Sequence, residues 1–313
     1  MKEGIVVKST GSRYQVICDN SLYICYLRGK FKQSGLRSTN PVAVGDKVNI
    51  ILENKKGIIT QIAPRHNYLV RKSTNLSKKS HIIAANIDYA VLVFCIKQPT
   101  GYPLFIDRYL VACEAALIPP LLVFNKIDLL NSKTDQNTLE EYLNIYKNAG
   151  YPCLTVSAQK QINIEKLRDT IAGKTVVFSG NSGVGKSSLI NLLNPNLSIK
   201  TAEISTYYKQ GKHTTTFAEM HPWEKGFIID TPGIKGFGFA DIDRENLSAF
   251  FPEMQHCRKA CKFNNCTHTH EPDCAVKEAL NKGEIHASRY KNYLRILTDK
   301  DNKYRNDLYG ENQ

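Results

Sequence analysis

Hydrophobic and polar positions alternate in short runs over the first part of the chain, then change rhythm. "IVVKS", "RYQVICDN", "LYICYLRG", "KVNIIL" and "GIITQIAP" are short and β-branched, and Gly, Asn and Asp separate them. That is the pattern of half-buried strands joined by turns. Five such strands in residues 1–70 predict a small β-barrel. An OB-fold is the economical solution, and an SH3-like barrel fits the same alternation. From residue 71 the apolar runs lengthen. "IDYAVLVFCI" and "PPLLVFNKIDLL" read as strands buried on both faces, and "YPCLTVSA" and "KTVVFSG" as further strands. Between them "PLFIDRYLVACEAAL", "NTLEEYLNIYKNAG" and "NIEKLRDTIAG" carry apolar residues at helical spacing. The second of these helices is expected to take Asn137 or Thr138 as its N-cap, with Gly150 near its end. Strand–helix alternation predicts a parallel sheet with flanking helices over residues 71–240. Residues 241–313 are polar, with helical spacing in "PDCAVKEALNKGEIHASRYKNYLRILTDK" and a charged tail expected to fray. The fold class is thus multidomain α/β, with barrel, parallel-sheet and helical units in that order.

Candidate chemistry turns the middle unit into a nucleotide-binding one. Gly180-Asn181-Ser182-Gly183-Val184-Gly185-Lys186-Ser187 matches G-x-x-x-x-G-K-[ST], follows an apolar strand and opens "KSSLINLL", a helix. This is the context a phosphate-binding loop requires. Its glycines let backbone N–H groups curl around phosphate oxygens, and the helix N-terminus adds positive potential. Lys186 is expected at the β- and γ-phosphates and the Ser187 hydroxyl at Mg²⁺, with Ser188 counted among the nucleotide contacts. Downstream, the apolar "FIID" ends in Asp230, an acid at a strand tip that can hold Mg²⁺, usually through water, and the Gly233 amide can meet the γ-phosphate. Between these two motifs, in "GKHTTT", Thr215 or Thr216 is expected to complete the Mg²⁺ shell.

A base-reading pair lies upstream. Asn125-Lys126-Ile127-Asp128 ends one buried strand, and Ser157-Ala158-Gln159 ends the next. The Asp128 carboxylate can accept from guanine N1–H and the N2 amino group. Adenine lacks that donor pair and would leave a desolvated carboxylate unpaired. Asn125 braces the pocket, Lys126 lies along the base, and the Ala158 amide can donate to guanine O6. The order NKID, SAQ, phosphate loop, threonine loop, DTPG is the ordinary GTPase order cut between DTPG and NKID, a circular permutation. Loops at strand ends build such a site, and a parallel sheet does not depend on where the chain is cut. The chain leaving Gly233 therefore runs straight into the cysteine-containing unit, on which nucleotide-dependent movement can pull. Ile234 stands where many GTPases carry a water-orienting glutamine. Lys186 and His213 are the candidate catalytic residues, a solvated loop histidine being the alternative reading of His213.

Of nine cysteines, Cys18, Cys25, Cys95, Cys113 and Cys153 are scattered and read as packing residues; the other four lie within residues 257–274. In a reducing compartment such clustering argues for metal rather than disulfides. Cys261, Cys266, His268 and Cys274, spaced C-x4-C-x-H-x5-C, supply three thiolates and an imidazole for a structural zinc site. Cys257 competes with Cys266 in an alternative set, and His256 and His270 are spare. At 313 residues and 42% hydrophobic, the chain has material for packed cores and is unlike a disordered one. Its formal net charge of +13 points to a polyanionic partner, nucleic acid before acidic membrane. The basic stretch from Gly29 to Asn40 reads as a long mobile loop whose cations either touch phosphates or are solvated. No apolar run approaches the roughly 20 residues of a membrane span, and the N-terminus turns polar too early for a signal peptide. A cytoplasmic protein without a membrane partner is expected.

Together "GNSGVGKSS", "GKHTTT", "DTPG" and "CKFNNCTHTHEPDCAV", behind an N-terminal barrel, resemble the circularly permuted, small ribosomal subunit-dependent GTPases of the RsgA/YjeQ family over nearly the whole chain. The resemblance implies an OB-fold, GTP hydrolysis stimulated by the small subunit, and a late role in maturing that subunit. It also implies GTP, GDP and rRNA as partners and a catalytic role for His213. A monomer is expected. The departures are small: "NKID" begins with a residue that differs in many members, and Lys212 stands where arginine is common.

Overall fold

The computed structural model describes residues 1–27, 41–53, 56–72, 80–197, 218–230 and 244–298. Strands β1 (Lys2–Ser9), β2 (Tyr14–Cys18), β3 (Ser21–Leu27), β4 (Lys47–Glu53) and β5 (Lys56–Ile62) run in the order β1-β2-β3-β5-β4. An antiparallel β1–β4 pairing closes them into a barrel, and β3 pairs with β5 in parallel. Of the two barrels the alternation allows, this is the OB-type one. Val6, Tyr14, Val16, Cys18, Cys25, Ile50 and Ile59 fill its interior. Two glycines make room for the thiols: a Cβ on Gly4 would lie 2.3 Å from Cys18 Sγ, and one on Gly57 would lie 2.3 Å from Cys25 Sγ.

A register shift between Val6 and Lys8 bulges β1. Successive strand residues face opposite sides of the sheet, so Val6 enters the barrel core while Val7 enters the core of the following unit. Just beyond the bulge β1 pairs with a strand of the second unit, Lys8 opposite Glu219, and their side chains form an ion pair at 3.0 Å. The hairpin β6 (Tyr68–Lys72) and β7 (Ser80–Ala85) adds a bridge from Val44 to Ala84.

The second unit comprises β8 (Tyr89–Phe94), α1 (Pro103–Ala115), β9 (Pro120–Phe124), α2 (Lys133–Asn148), β10 (Cys153–Thr155), α3 (Ile164–Ile171), β11 (Thr175–Ser179), α4 (Lys186–Leu193), β12 (Glu219–Trp223) and β13 (Gly226–Asp230). Its strands run β10-β9-β8-β11-β13-β12. All neighbours are parallel except β12, which is antiparallel to β13. The continuous apolar runs are the central strands β8 and β9, with α1 and α2 on one face and α3 and α4 on the other. Helix α2 starts earlier than Asn137 or Thr138: Ser132 is its N-cap, accepting from Asp135 N at 3.1 Å. Its first turn, "KTDQ", is polar, so the apolar periodicity that marks a buried face begins only later.

Helices α5 (Pro252–Arg258), α6 (Ala275–Asn281) and α7 (Ala287–Thr298) form the last unit around Phe251, Met254, Val276 and Tyr293. It is tied to α1 through charge. Arg289, with 1% of its side chain exposed, donates to Asp107 at 2.6 Å and to Glu253 at 2.7 Å. Asn292 Nδ2 donates to the second oxygen of Asp107 at 2.5 Å, and the Arg289 guanidinium sits 4.6 Å from the Phe251 ring centroid.

Candidate functional site

The phosphate loop leaves β11 and enters α4 through three left-handed glycines, Gly180, Gly183 and Gly185, at φ 142°, 79° and 92°. Sterics also demand glycine at two of them. A Cβ on Gly180 would lie 2.2 Å from Val93 O, and one on Gly185 would lie 2.4 Å from Asn125 Nδ2. Lys186 Nζ folds back over the loop and donates to Gly180 O at 2.6 Å and Asn181 O at 2.7 Å. Its charge is thus held at the rim that the loop amides surround.

The base-reading loops meet this one through a single side chain. Asn125, 3% exposed, donates from Nδ2 to Val184 O at 2.8 Å and accepts at Oδ1 from Ala158 N at 3.1 Å. It therefore fastens the phosphate loop to the loop after β10. The Ala158 amide, expected to meet guanine O6, is engaged with Asn125 here. Asp128 lies in the short 3-10 turn Ile127–Leu129, and the buried Ser157 hydroxyl donates to its Oδ1. Ser157 Oγ in turn accepts from Lys160 N at 3.0 Å. The carboxylate is oriented before any base arrives. Lys126, left-handed at φ 63°, donates from Nζ to Gln98 O at 2.5 Å.

Asp230 is the last residue of β13, the strand beside β11, so its backbone stands next to the strand that launches the phosphate loop. His213, Thr215, Thr216, Gly233 and Ile234 lie outside the described residues. One residue read as packing, and buried in the core as such, also touches the phosphate loop. Cys95 Sγ, directly after β8, approaches Val184 O at 3.4 Å, the carbonyl that Asn125 also holds. Burial pushes its thiol up to about 12, opposed by Lys126 and Lys186. No local signal marks that role, because the contact spans 89 positions of sequence.

In the last unit, the donor atoms of Cys261, Cys266, His268 and Cys274 all lie within 4.8 Å of one another. Cys261 Sγ is 3.9 Å from Cys274 Sγ, and His268 Nδ1 is 3.6 Å and 3.4 Å from those two sulfurs. A tetrahedral zinc with ordinary bond lengths requires S–S edges of about 3.8 Å and S–N edges of about 3.6 Å. The set is compatible with one zinc ion. Cys257, the competing candidate, instead points its thiol at the carbonyls of Glu253 and Met254 at 3.6 and 3.4 Å. Burial lifts the Cys266 thiol to about 12, so a cation is what would keep it ionised. Glu271, not foreseen from sequence, shapes the loop. It accepts from Thr267 N at 2.6 Å and Thr269 N at 2.9 Å, on either side of His268. Those bonds, with one from the Thr267 hydroxyl, hold its carboxyl down at about 2 against the effect of burial. Tyr290 and Tyr293 of α7 donate to the carbonyls of His268 and Thr267 at 2.6 and 2.7 Å.

Residues 62–240 match the RsgA GTPase domain, and residues 3–59 match the RsgA N-terminal domain. The chain belongs to the RsgA GTPase family. It is a GTP hydrolase with an OB-type barrel and a circularly permuted GTPase domain, as the motif order and the family resemblance implied. Among its relatives is small ribosomal subunit biogenesis GTPase RsgA 2 of Bacteroides thetaiotaomicron, 49% identical over 97% of this chain and 99% of that one. Another is small ribosomal subunit biogenesis GTPase RsgA of Christiangramia forsetii, 48% identical over 98% and 99%. The crystal structure of YjeQ from Thermotoga maritima matches with a TM-score of 0.78 at 33% identity, covering 95% of this chain and 97% of that one. That of YloQ, a circularly permuted GTPase, matches at 0.74 and 32% identity, covering 95% and 94%. Among the described residues, no helix is long and apolar enough to cross a membrane.

Proposed function

We propose that this RsgA-family chain hydrolyses GTP during late maturation of the small ribosomal subunit, in the cytoplasm, binding rRNA and turning over fastest on the subunit. The observation that carries the reading is Asn125: one buried side chain bonds both the phosphate loop and the loop after β10, so base and phosphate recognition form one site. The names of the relatives supply the ribosomal context, and the net charge of +13 supplies affinity for RNA.

Each residue takes the role that its motif implies. Asp128, oriented by Ser157, reads the guanine edge, and Lys126 and Ile127 line the base. Residues 180–188 cradle the phosphates, with Gly233 at the γ-phosphate and Lys186 offsetting charge as the terminal phosphoryl group departs to water. Ser187 and Asp230, with Thr215 or Thr216, would hold Mg²⁺, which neutralises β- and γ-phosphate charge when bound. His213 orients the attacking water, a role no glutamine at position 234 can fill. Cys261, Cys266, His268 and Cys274 would hold one zinc per chain, as a structural ion. Residues 1–70, 71–240 and 241–313 serve as the barrel, GTPase and zinc-binding units of a monomer that needs no membrane. Co-sedimentation with purified small subunits tests the reading. The chain should pellet with them when loaded with a non-hydrolysable GTP analogue and largely leave them with GDP. A chain that stays in the supernatant in both states contradicts it.

A further inference from the structure

A fourth loop meets the nucleotide loops, and no motif marks it. It joins β8 to α1 and spans residues 95–102. Its stems are fixed. Gly101 N donates to Cys95 O at 3.1 Å, and a Cβ on Gly101 would lie 2.1 Å from Phe94 Cζ, so the returning chain packs directly on that ring. At the first stem Cys95 Sγ approaches Val184 O of the phosphate loop. At the tip a Cβ on Gly183 would stand 3.7 Å from Pro99 Cδ, so the proline lies beside the phosphate loop as well.

The tip also holds the lysine of NKID. Lys126 Nζ donates to Gln98 O at 2.5 Å. Both residues of that bond are left-handed, Gln98 at φ 54° and Lys126 at φ 63°. Non-glycine residues keep such a conformation where their surroundings over-determine it, and these positions gather at ligand clamps. The neighbour of Gln98 ties the tip to a helix: Lys97 Nζ donates to Asp135, in the first turn of α2, at 2.9 Å. Asp135 is itself anchored, its main-chain N–H donating to Ser132 Oγ in the helix cap. Its bond to Lys97, more than that to Ser132, holds its carboxyl below the usual carboxylate range.

We infer that Lys97 and Asp135 are positioning residues for guanine-nucleotide binding, acting through the Gln98 carbonyl on the Lys126 ammonium. The inference rests on the proposed role of Lys126 along the base. An ammonium has three N–H donors. With one given to Gln98 O, the head is pinned, the stem is laid out for the base, and the remaining donors are free for oxygen atoms of the nucleotide. Without that carbonyl in place, a long flexible side chain has to be immobilised each time nucleotide binds, which weakens affinity. The ion pair keeps the carbonyl in place by tying the loop to α2. Among the contacts described, Lys97 and Asp135 bond each other and not the phosphate loop, so their effect belongs to binding rather than to the phosphoryl step.

The test uses the full chain. Displacement of a fluorescent GDP analogue measures affinity, and single-turnover GTP hydrolysis at saturating nucleotide measures the chemical step on the same samples. Lys97→Met and Asp135→Asn should each weaken GDP about threefold, the size of an exposed ion pair, and leave the saturated single-turnover rate unchanged. Lys97→Arg should keep wild-type affinity, since a guanidinium can take the same carboxylate. The decisive arm is a double-mutant cycle. Lys126→Ala should weaken GDP, and adding Lys97→Met to it should weaken GDP no further, because the ion pair acts only through Lys126. A further loss in that background, as large as in the wild-type background, would show a general loosening of the loop and overturn the inference. Unchanged GDP affinity in both Lys97→Met and Asp135→Asn would overturn it too. If Lys126→Ala itself binds GDP as tightly as wild type, the role assigned to Lys126 in the proposed function fails, and the inference falls with it.

Discussion

On the proposed reading the Asp128 carboxylate accepts from the guanine edge while the Ser157 hydroxyl orients it. Asp128→Asn replaces an acceptor by an amide that presents donors to the guanine N1–H and amino group. GTP affinity should fall about a hundredfold, roughly 3 kcal/mol, with preference moving toward xanthosine triphosphate, whose base offers an acceptor there. Competitive nucleotide binding checks this, and unchanged guanine preference would remove Asp128 from the pocket. Lys186→Ala makes a contrasting case. Among the contacts described, Nζ bonds the loop carbonyls of Gly180 and Asn181, so the fold should tolerate its loss. Turnover should drop about a hundredfold or more, because a charge aimed at the departing phosphoryl group is gone, while the thermal midpoint barely moves. Single-turnover rates and a melting curve on the same sample separate these effects. Much of this was legible in the sequence, since G-x-x-x-x-G-K-S and NKID are local patterns. Cys95 and Glu271 were not legible. A thiol that meets a carbonyl 89 positions away, and a carboxylate that shapes the loop around His268, look like any other cysteine and glutamate until the chain is folded.

Among the elements, strands and helices with uninterrupted apolar spacing stood out in the sequence, and those with polar ends were misplaced. Helix α4 begins at Lys186, as the phosphate-loop motif requires. Helix α2 begins at Lys133 because Ser132 caps it, a signal that a search for apolar periodicity passes over. The β1 bulge had no signature at all, and only the folded chain shows that the outer face of β1 is buried too, with Val7 in the core of the second unit. Two anchors are expected to hold the C-terminal element. Metal analysis of protein purified without a metal-chelate column should give one zinc per chain, and a strong chelator should open residues beyond 252 to protease. A zinc content near zero with that region still protected contradicts the Cys261–Cys274 site. The second anchor is Arg289. Arg289→Met strands Asp107 without its cation in the interior and should cost about 3–5 kcal/mol by denaturant unfolding. A change under 1 kcal/mol would mean that Asp107 and Glu253 are satisfied by other groups.

For the whole molecule, permutation matters more than any single contact. The chain enters the GTPase unit from the barrel, whose β1 is paired to β12, and leaves it into the helical unit that carries Cys261, Cys266, His268 and Cys274. Glu219 on β12 faces Lys8 of the barrel on one side and Asp230 of β13 on the other. The barrel thus sits one strand away from Asp230, one of the residues assigned to Mg²⁺. This organisation could be inferred from motif order alone. The seam itself could not, because an edge-to-edge pairing of two sheets leaves no motif. Free enzyme, lacking a water-orienting glutamine, should turn over slowly, and an RNA surface that holds the His213 loop in place should contribute several kcal/mol of barrier lowering. The most direct measurement of the central claim is GTP turnover by wild type and His213→Ala, each with and without purified small ribosomal subunits, at two salt concentrations. Wild type should be stimulated strongly at low salt and less at high salt, as counterion release requires, and His213→Ala should lose mainly the stimulated part. Equal fold-stimulation in both proteins would exclude His213 as the responsive group. No stimulation of wild type at low salt would contradict the ribosome-dependent activity itself.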